Sequence, residues 1–245
     1  MFKKSKSSFK RFDKPTFYLR LDTSECKYDV KINGTFVEYN YGGRPHHIDY
    51  PINHWLRSGH NEIVIRMYEW PDDEAGYGVG TRKAPAKFSG RIKVKNSGED
   101  ISTASEICNV IYQDVLEPEK TGIGNSSEPG TFTLKESIEA SAKGDIEISE
   151  IEKDVMESPR GIQVSRTFNL PVDLPEWGFF HGDDIPSLAE MTDEEFDKIT
   201  AELFAETMKI HSALAAKNIT DVLSMFKNRS AEIDAAFYLE AGTTQ

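Results

Sequence analysis

The chain has 245 residues, of which 38% are hydrophobic and 11% aromatic, so it can bury a sizeable core and is too apolar to be disordered throughout. Its formal net charge is −12, and between Glu99 and Glu157 there are 15 acids against four bases. This surface repels phosphate backbones and anionic lipid headgroups, so we do not expect the body of the chain to bind nucleic acid, and no apolar run is long enough for a membrane span.

Residues 1–15 form a separate basic segment, with six bases and one acid among the first 14 positions. Short Lys/Ser-rich ends of this kind are typically disordered and solubilising. The segment lacks the apolar stretch of a secretory signal, which predicts a cytoplasmic protein as the sequence stands. Removal of a signal peptide before this start would instead predict a periplasmic one.

Strand-like runs separated by turn residues fill residues 16–170. The firmest local prediction is a hairpin, since Tyr28–Ile32 alternates apolar and polar side chains, Asn33-Gly34 suits a tight turn, and Thr35–Tyr39 resumes the strand pattern. Further strands are predicted at Thr16–Leu21, Glu62–Tyr68, Ala86–Lys95, Glu106–Val115, Gly130–Leu134, Asp145–Ile151 and Gly161–Leu170. Many short strands with Gly, Pro and Asn between them predict an antiparallel, jelly-roll-like β-sandwich.

A connector rich in proline and aromatic residues follows at positions 171–190. It contains Trp177, Phe179 and Phe180, which we interpret either as a buried plug or as a contact surface. Both interpretations predict that this aromatic cluster is largely buried.

Residues 191–245 carry helical signals, which make the fold class α+β. Thr192 and Glu195 have the spacing of a capping box, and an apolar stripe follows at Phe196, Ile199, Leu203, Ile210 and Leu214. Lys217-Asn218 breaks this helix, and a second one is predicted from Thr220-Asp221, with Val222, Leu223, Phe226, Ile233 and Phe237 on its inner side. The region therefore reads as a helical hairpin whose stripes dock on each other, on the sandwich or on another chain.

The sequence contains no recognisable catalytic or cofactor motif. The group His46, His47, Asp49, His54 and His60 contains metal-ligand residue types, but its spacing matches no metal motif, and we predict no metal site. Cys26 and Cys108 fit no metal or redox pattern, and they either pair with each other or are buried free thiols. We therefore predict a protein that is not an enzyme and needs no cofactor.

The glycines of residues 76–80 precede Pro85 and a strand rather than a helix, so they do not form a phosphate-binding loop. We interpret this segment instead as a flexible loop of the sheet, and with Trp70, Tyr77, Arg82 and Lys83 nearby it is also a candidate recognition loop. The residues predicted to contact a partner are Trp70, Tyr77, Arg82, Glu117, Glu119 and Trp177.

Within residues 28–65, the run Val30–Gly34 followed by Pro51–Ile63 resembles a motif of galactose-binding-like jelly-roll domains. The shared features are the Asn33-Gly34 turn and a Gly59-x-Asn61 turn that precedes a core strand. The resemblance implies a jelly-roll sandwich and, as an alternative function, a carbohydrate-binding module.

The C-terminal portion, from Pro175–Trp177 through Thr192–Glu195 to Ala235–Tyr238, is similar to bacterial proteins found beside secretion-system toxins. This resemblance implies an immunity protein that occludes a toxin, as in type VI secretion. The interpretation that follows is a noncatalytic bacterial binding protein whose partner is a basic toxin or effector, because an acidic body attracts a basic surface. The sequence gives no oligomeric state.

Overall fold

The structure, a computed structural model, describes residues 12–68, 86–113, 131–133, 146–157, 160–182 and 191–244. The chain divides into two compact units between Leu174 and Pro175, inside the predicted connector. The first unit contains ten strands: β1 (Pro15–Ser24), β2 (Lys27–Ile32), β3 (Thr35–Asn40), β4 (His46–Pro51), β5 (Gly59–Tyr68), β6 (Lys87–Asn96), β7 (Ser105–Gln113), β8 (Thr131–Thr133), β9 (Glu152–Glu157) and β10 (Arg160–Leu170). The second contains helices α1 (Asp193–Ala215), α2 (Ile219–Met225) and α3 (Lys227–Ala236).

The ten strands form two antiparallel sheets, which confirms the predicted α+β sandwich. The first sheet has the order β4-β1-β6-β7-β8 and the second the order β3-β2-β5-β10-β9. A Cβ atom built on Gly90 in β6 would lie 3.6 Å from Cδ1 of Ile65 in β5, so the sheets meet face to face there. Alternating apolar residues of both sheets fill one continuous core between them.

The predicted hairpin at Asn33-Gly34 is present. Asn33 and Gly34 have φ values of 49° and 81°, the left-handed backbone that this dipeptide tolerates best, and β2 pairs with β3 in antiparallel register. The turn residues therefore act as the sequence indicates.

The asparagines of the jelly-roll-like motif bind each other across two turns. Asn33 Nδ2 donates to Asn61 Oδ1 over 2.9 Å, and Asn33 Oδ1 accepts from the Glu62 amide over 2.9 Å. Asn61 is fully buried and donates to the carbonyls of Arg57 and Gly59. These contacts fix the β2–β3 turn against the start of β5, so the motif has a structural role here.

Arg166 of β10 is a fully buried cation that joins the two sheets. Its Nη1 donates to the Asn109 carbonyl of β7 over 2.9 Å, and its Nε donates to the Ser149 carbonyl over 3.0 Å. Both acceptors are backbone carbonyls. The Arg166 side chain supplies each of them with a hydrogen-bond donor inside the sandwich.

Two parts of the strand prediction are wrong. The described part of the predicted strand Asp145–Ile151 has only an isolated bridge between Ile148 and Phe168, while β9 begins directly after it at Glu152. The sequence pattern also predicts no strand at β4. Both β4 and β9 are edge strands, where one side of the backbone has no partner and the apolar alternation that predicts a strand is weak.

The helical unit begins as predicted, with both hydrogen bonds of the capping box between Thr192 and Glu195. Lys217 has a φ of 55° and ends the first helix, and Asn218 caps α2. The predicted second helix is divided at Phe226 into α2 and α3, and Leu223 and Phe226 are exposed rather than inward. Among the described residues, no helix has the length and apolar character that a membrane crossing requires.

Candidate functional site

Most residues predicted to contact a partner lie outside the described part of the chain. These are Trp70, Tyr77, Arg82, Glu117 and Glu119. Trp177 is described and is buried in the second unit, as both interpretations of the aromatic connector predict. The amide of Gly178 donates to Glu232 Oε1 in α3 over 2.9 Å, so the connector packs on that helix.

The histidines near β4 have separate structural contacts. His46 Nδ1 lies 3.1 Å from the Tyr28 hydroxyl, His47 pairs with Asp22, and the His54 ring lies 3.8 Å from the Trp55 ring. In the described ranges no three His, Cys, Asp or Glu side chains converge as a metal site would need. Cys26 and Cys108 are both buried thiols and are not joined in a disulfide, which answers the alternative that the sequence left open.

A cluster of exposed tyrosines lies on the outer face of the second sheet. The rings of Tyr39 and Tyr41 are 5.2 Å apart and inclined by 30°, and the Tyr41 and Tyr68 rings meet edge to face at 5.7 Å. Tyr39 is 61% exposed and Tyr41 50% exposed, although such rings usually bury most of their area. These tyrosines, together with Phe36 and Asp29, are called the tyrosine face below.

Asp29 lies beneath the tyrosines and is only 1% exposed. Since Tyr28 and Val30 point into the core, the period of the strand directs Asp29 to the outer face, where the phenols cover it. The Tyr68 hydroxyl donates to Oδ2, and the Tyr41 hydroxyl lies 3.4 Å from the same atom. Oδ1 is buried beneath the phenols and accepts no hydrogen bond from the described residues.

The phenols remain hydrogen-bond donors to this carboxylate. Burial, followed by the negative charge and hydrogen bonding of Asp29, raises the pKa of Tyr41 above its usual value. The pKa of Tyr68 is also raised, first by burial and then by its hydrogen bond to Asp29. Both hydroxyls therefore keep their protons at neutral pH.

Positive charge lies beside Asp29 on the same face. Arg66 of β5 is its register partner, and Arg66 Nε donates to Gln163 Oε1 over 2.9 Å. Burial lowers the pKa of Lys27, two residues before Asp29, because a charged ammonium loses hydration there. The carboxylate of Asp29 therefore lies in a network of polar and charged side chains, and the tyrosine rings cover it on the outer side of the sheet.

The tyrosine face continues across the whole sheet. Register pairs connect Tyr39, Asp29, Arg66, Gln163 and Asp154 in one row from β3 to β9. Phe36 is 54% exposed at the β3 edge, with Lys31 Nζ 4.3 Å from its ring centroid. The outer face of this sheet therefore has aromatic side chains at one edge and the carboxylates of Glu152 and Asp154, in β9, at the other.

The surface of the sandwich unit also has an open depression of about 430 Å³, which is lined by Phe12, Asn96, Glu99, Asp100, Thr103 and Ser105. Its polar atoms are occupied within the turn, since the Asn96 amide donates to Glu99 Oε2 over 3.0 Å and the Ser102 amide donates to Asp100 Oδ1 over 2.8 Å. It is a weaker candidate site than the tyrosine face.

The tyrosine face does not follow from the sequence pattern. Tyr39 and Tyr41 occupy alternate positions near the hairpin, but only the pairing of β2 with β5 brings Tyr68 to Asp29.

Comparison with known protein families and with curated proteins finds no match to this chain. The two resemblances noted from the sequence therefore remain predictions.

Proposed function

We propose that this chain is a noncatalytic binding protein that neutralises a basic protein partner, such as a secreted toxin, through the tyrosine face. The observation that supports this most directly is the exposure of Phe36, Tyr39 and Tyr41 on a face whose opposite edge is acidic. Tyrosine is enriched among the few residues that supply most of the affinity of protein interfaces.

The dimensions of the face suit a protein partner. Five strands spaced by about 4.8 Å span roughly 19 Å, and strands of six to 11 residues extend the face in the other direction. A flat surface of this size, with an aromatic patch and a charged rim, is the usual form of a protein–protein contact.

The first test uses the full chain as bait in its native host, followed by purification of the captured protein and measurement of its Kd. Changing Tyr39 and Tyr41 together to alanine should weaken binding by about 2–4 kcal/mol, roughly 30- to 1000-fold in Kd, because the anchor area is lost. Tyr18→Ala is the matched control, since Tyr18 lies on the outer face of the first sheet. Equal losses for both proteins would contradict the proposal.

The second test separates charge from packing. Glu152→Gln and Asp154→Asn combined should slow association about 3- to 10-fold at low salt and leave dissociation nearly unchanged, because exposed charges steer encounter rather than hold the complex. Stopped-flow measurements at two ionic strengths give both rates. An association rate that is indifferent to salt would contradict a role for the acidic edge.

A carbohydrate ligand is the second candidate, and one observation favours it. The exposed tyrosine rings suit packing against the ring of a sugar, and Asp29 Oδ1 beneath them accepts no hydrogen bond from the described residues. Calorimetry with a panel of neutral oligosaccharides tests this candidate. Binding that Asp29→Asn abolishes, with Tyr18→Ala as control, would favour the carbohydrate; no heat with any member would leave the protein partner as the sole proposal.

A further inference from the structure

The turn between β2 and β3 contains the single Asn-Gly pair of the sequence, Asn33-Gly34. An asparagine in this position is prone to lose its side-chain amide, because glycine has no Cβ atom to hinder attack by its own backbone nitrogen. A Cβ atom built on Gly34 would meet no atom within 4 Å, and Gly34 is exposed to water. Neither packing nor burial of Gly34 therefore prevents the reaction at this turn.

The reaction is a deamidation that needs only water. The backbone nitrogen of Gly34 bonds to Cγ of Asn33 and gives up its proton, and the side-chain nitrogen leaves as ammonia. One water molecule then opens the resulting succinimide ring at either of its carbonyls. The product is an aspartate or an isoaspartate at position 33, and no oxidant, reductant or enzyme is required.

The side-chain contacts of Asn33 oppose this reaction in the folded chain. Nδ2 donates to the Trp55 carbonyl over 2.7 Å and to Asn61 Oδ1 over 2.9 Å, and Oδ1 accepts from the Glu62 amide over 2.9 Å. These bonds must break before Cγ can turn towards the nitrogen of Gly34 and ammonia can leave. Deamidation then proceeds from the molecules in which the turn is open, as hydrogen exchange does.

The product does not fit the turn from which it forms. Deamidation to aspartate replaces the Nδ2 donor with a carboxylate oxygen, which would face two acceptors, the Trp55 carbonyl and Asn61 Oδ1. Asn61 is fully buried, and reversing its amide would sacrifice its bonds to the carbonyls of Arg57 and Gly59. We propose that Asn33 is a deamidation site that the folded turn protects, and that the modification prevents the β2–β3 hairpin from closing fully again.

The modification would act on the edge of the second sheet. Among the described residues β3 pairs only with β2, and it carries the exposed rings of Phe36 and Tyr39. A turn that cannot close loosens this edge strand, so deamidation converts a transient opening of the hairpin into a permanent one. The inference does not depend on what the tyrosine face binds.

The protection is tested on the full chain at neutral pH, with and without urea at an unfolding concentration. Peptide mass spectrometry follows the conversion of Asn33 from amide to acid and separates aspartate from isoaspartate. The folded chain should deamidate at least about tenfold more slowly than the unfolded chain, because the reaction waits for the turn to open. Equal rates would overturn the protection.

A pair of variants tests the role of the contacts. Asn61→Ala should speed deamidation of the folded chain at least about tenfold, since it removes a buried partner of Asn33. Asn228→Ala is the matched control at an exposed position of α3, and it should leave the rate unchanged. Deamidation of the natural chain at rising urea concentrations below unfolding gives the same information without a variant. A rate that neither Asn61→Ala nor urea alters would overturn the coupling to opening.

The effect of the product is measured with Asn33→Asp, which has the shape of the aspartate form. Hydrogen exchange in the β2 and β3 peptides should become at least about tenfold faster than in the natural chain, because the turn no longer closes. Asn228→Asp makes the same change at the exposed position and should leave this exchange unaltered. The deamidated fraction of the natural chain, separated by its extra negative charge, gives a second measurement on molecules that folded before the reaction. Exchange equal to that of the natural chain in both samples would overturn the effect on the hairpin.

Discussion

The two units of this protein differ in how far they bury their apolar side chains. In the sandwich, residues far apart in sequence, such as Phe17, Ile65 and Phe168, meet in one core from which water is excluded. In the described part of the helical unit only Trp177, Ala213 and Ala236 are buried apolar residues, while Phe204 and Leu203 are more than half exposed. The helices are fixed by backbone hydrogen bonds and caps, which are local and leave the side chains free to contact something else.

The largest difference is expected between truncating a buried apolar side chain of the sandwich and truncating an exposed one of the helical unit. Phe168→Ala should lower the free energy of unfolding of the sandwich by about 3–5 kcal/mol, since it removes a buried ring and leaves a cavity. Leu203→Ala should change it by less than about 0.5 kcal/mol, because that side chain is exposed. Hydrogen exchange followed by mass spectrometry reports each unit by its own peptides, and similar losses from both variants would break the comparison.

Asparagine gives a second matched pair with a smaller effect. Asn61→Ala should cost about 2–4 kcal/mol, since it removes a fully buried side chain that donates to the carbonyls of Arg57 and Gly59 and accepts from Asn33 Nδ2. Asn218→Ala removes two exposed contacts with Asp221 at the start of a helix, the N-cap bond to its amide and a bond to its carboxylate, and should cost about 1 kcal/mol in α2. Urea unfolding monitored by exchange in each unit compares the two. Equal costs would mean that the turn network around Asn33 has no more structural weight than a surface cap.

The smallest expected effect is a loss of sandwich stability at alkaline pH that the helical unit should not share. Burial, then the hydrogen bond to Glu38, raises the pKa of Tyr50 to about 12. Because the folded state holds this proton more tightly than the unfolded chain, the stabilisation is complete below pH 10 and is lost as pH rises towards 12.

Tyr50→Phe should therefore reduce the alkaline loss of sandwich stability between pH 10 and 12. Tyr18→Phe is the control on the outer face of the first sheet. Melting curves of the three proteins at pH 8, 10 and 11.5 measure this, and an identical pH dependence for all three would contradict the assigned cause. If the helical peptides lose protection against hydrogen exchange equally steeply over this pH range, the alkaline loss of stability is not specific to the sandwich.

Local chemistry determined much of this protein from sequence alone. The turn at Asn33-Gly34, the capping box at Thr192 and the helix break at Lys217-Asn218 follow from interactions among residues close together in sequence. The alternation of apolar and polar side chains over Tyr28–Ile32 likewise predicted β2, since a strand with one buried face repeats every second residue.

Only the tertiary structure decided the pairing of strands and therefore the tyrosine face. Asp29 lies 39 residues from Tyr68, and the hydrogen bond between them exists because β2 and β5 are neighbours in the second sheet. The edge strands β4 and β9 were likewise missed, because their position depends on partners rather than on their own pattern. Period and turn chemistry act over a few residues, whereas strand order reflects the free energy of the whole core, which no short segment contains.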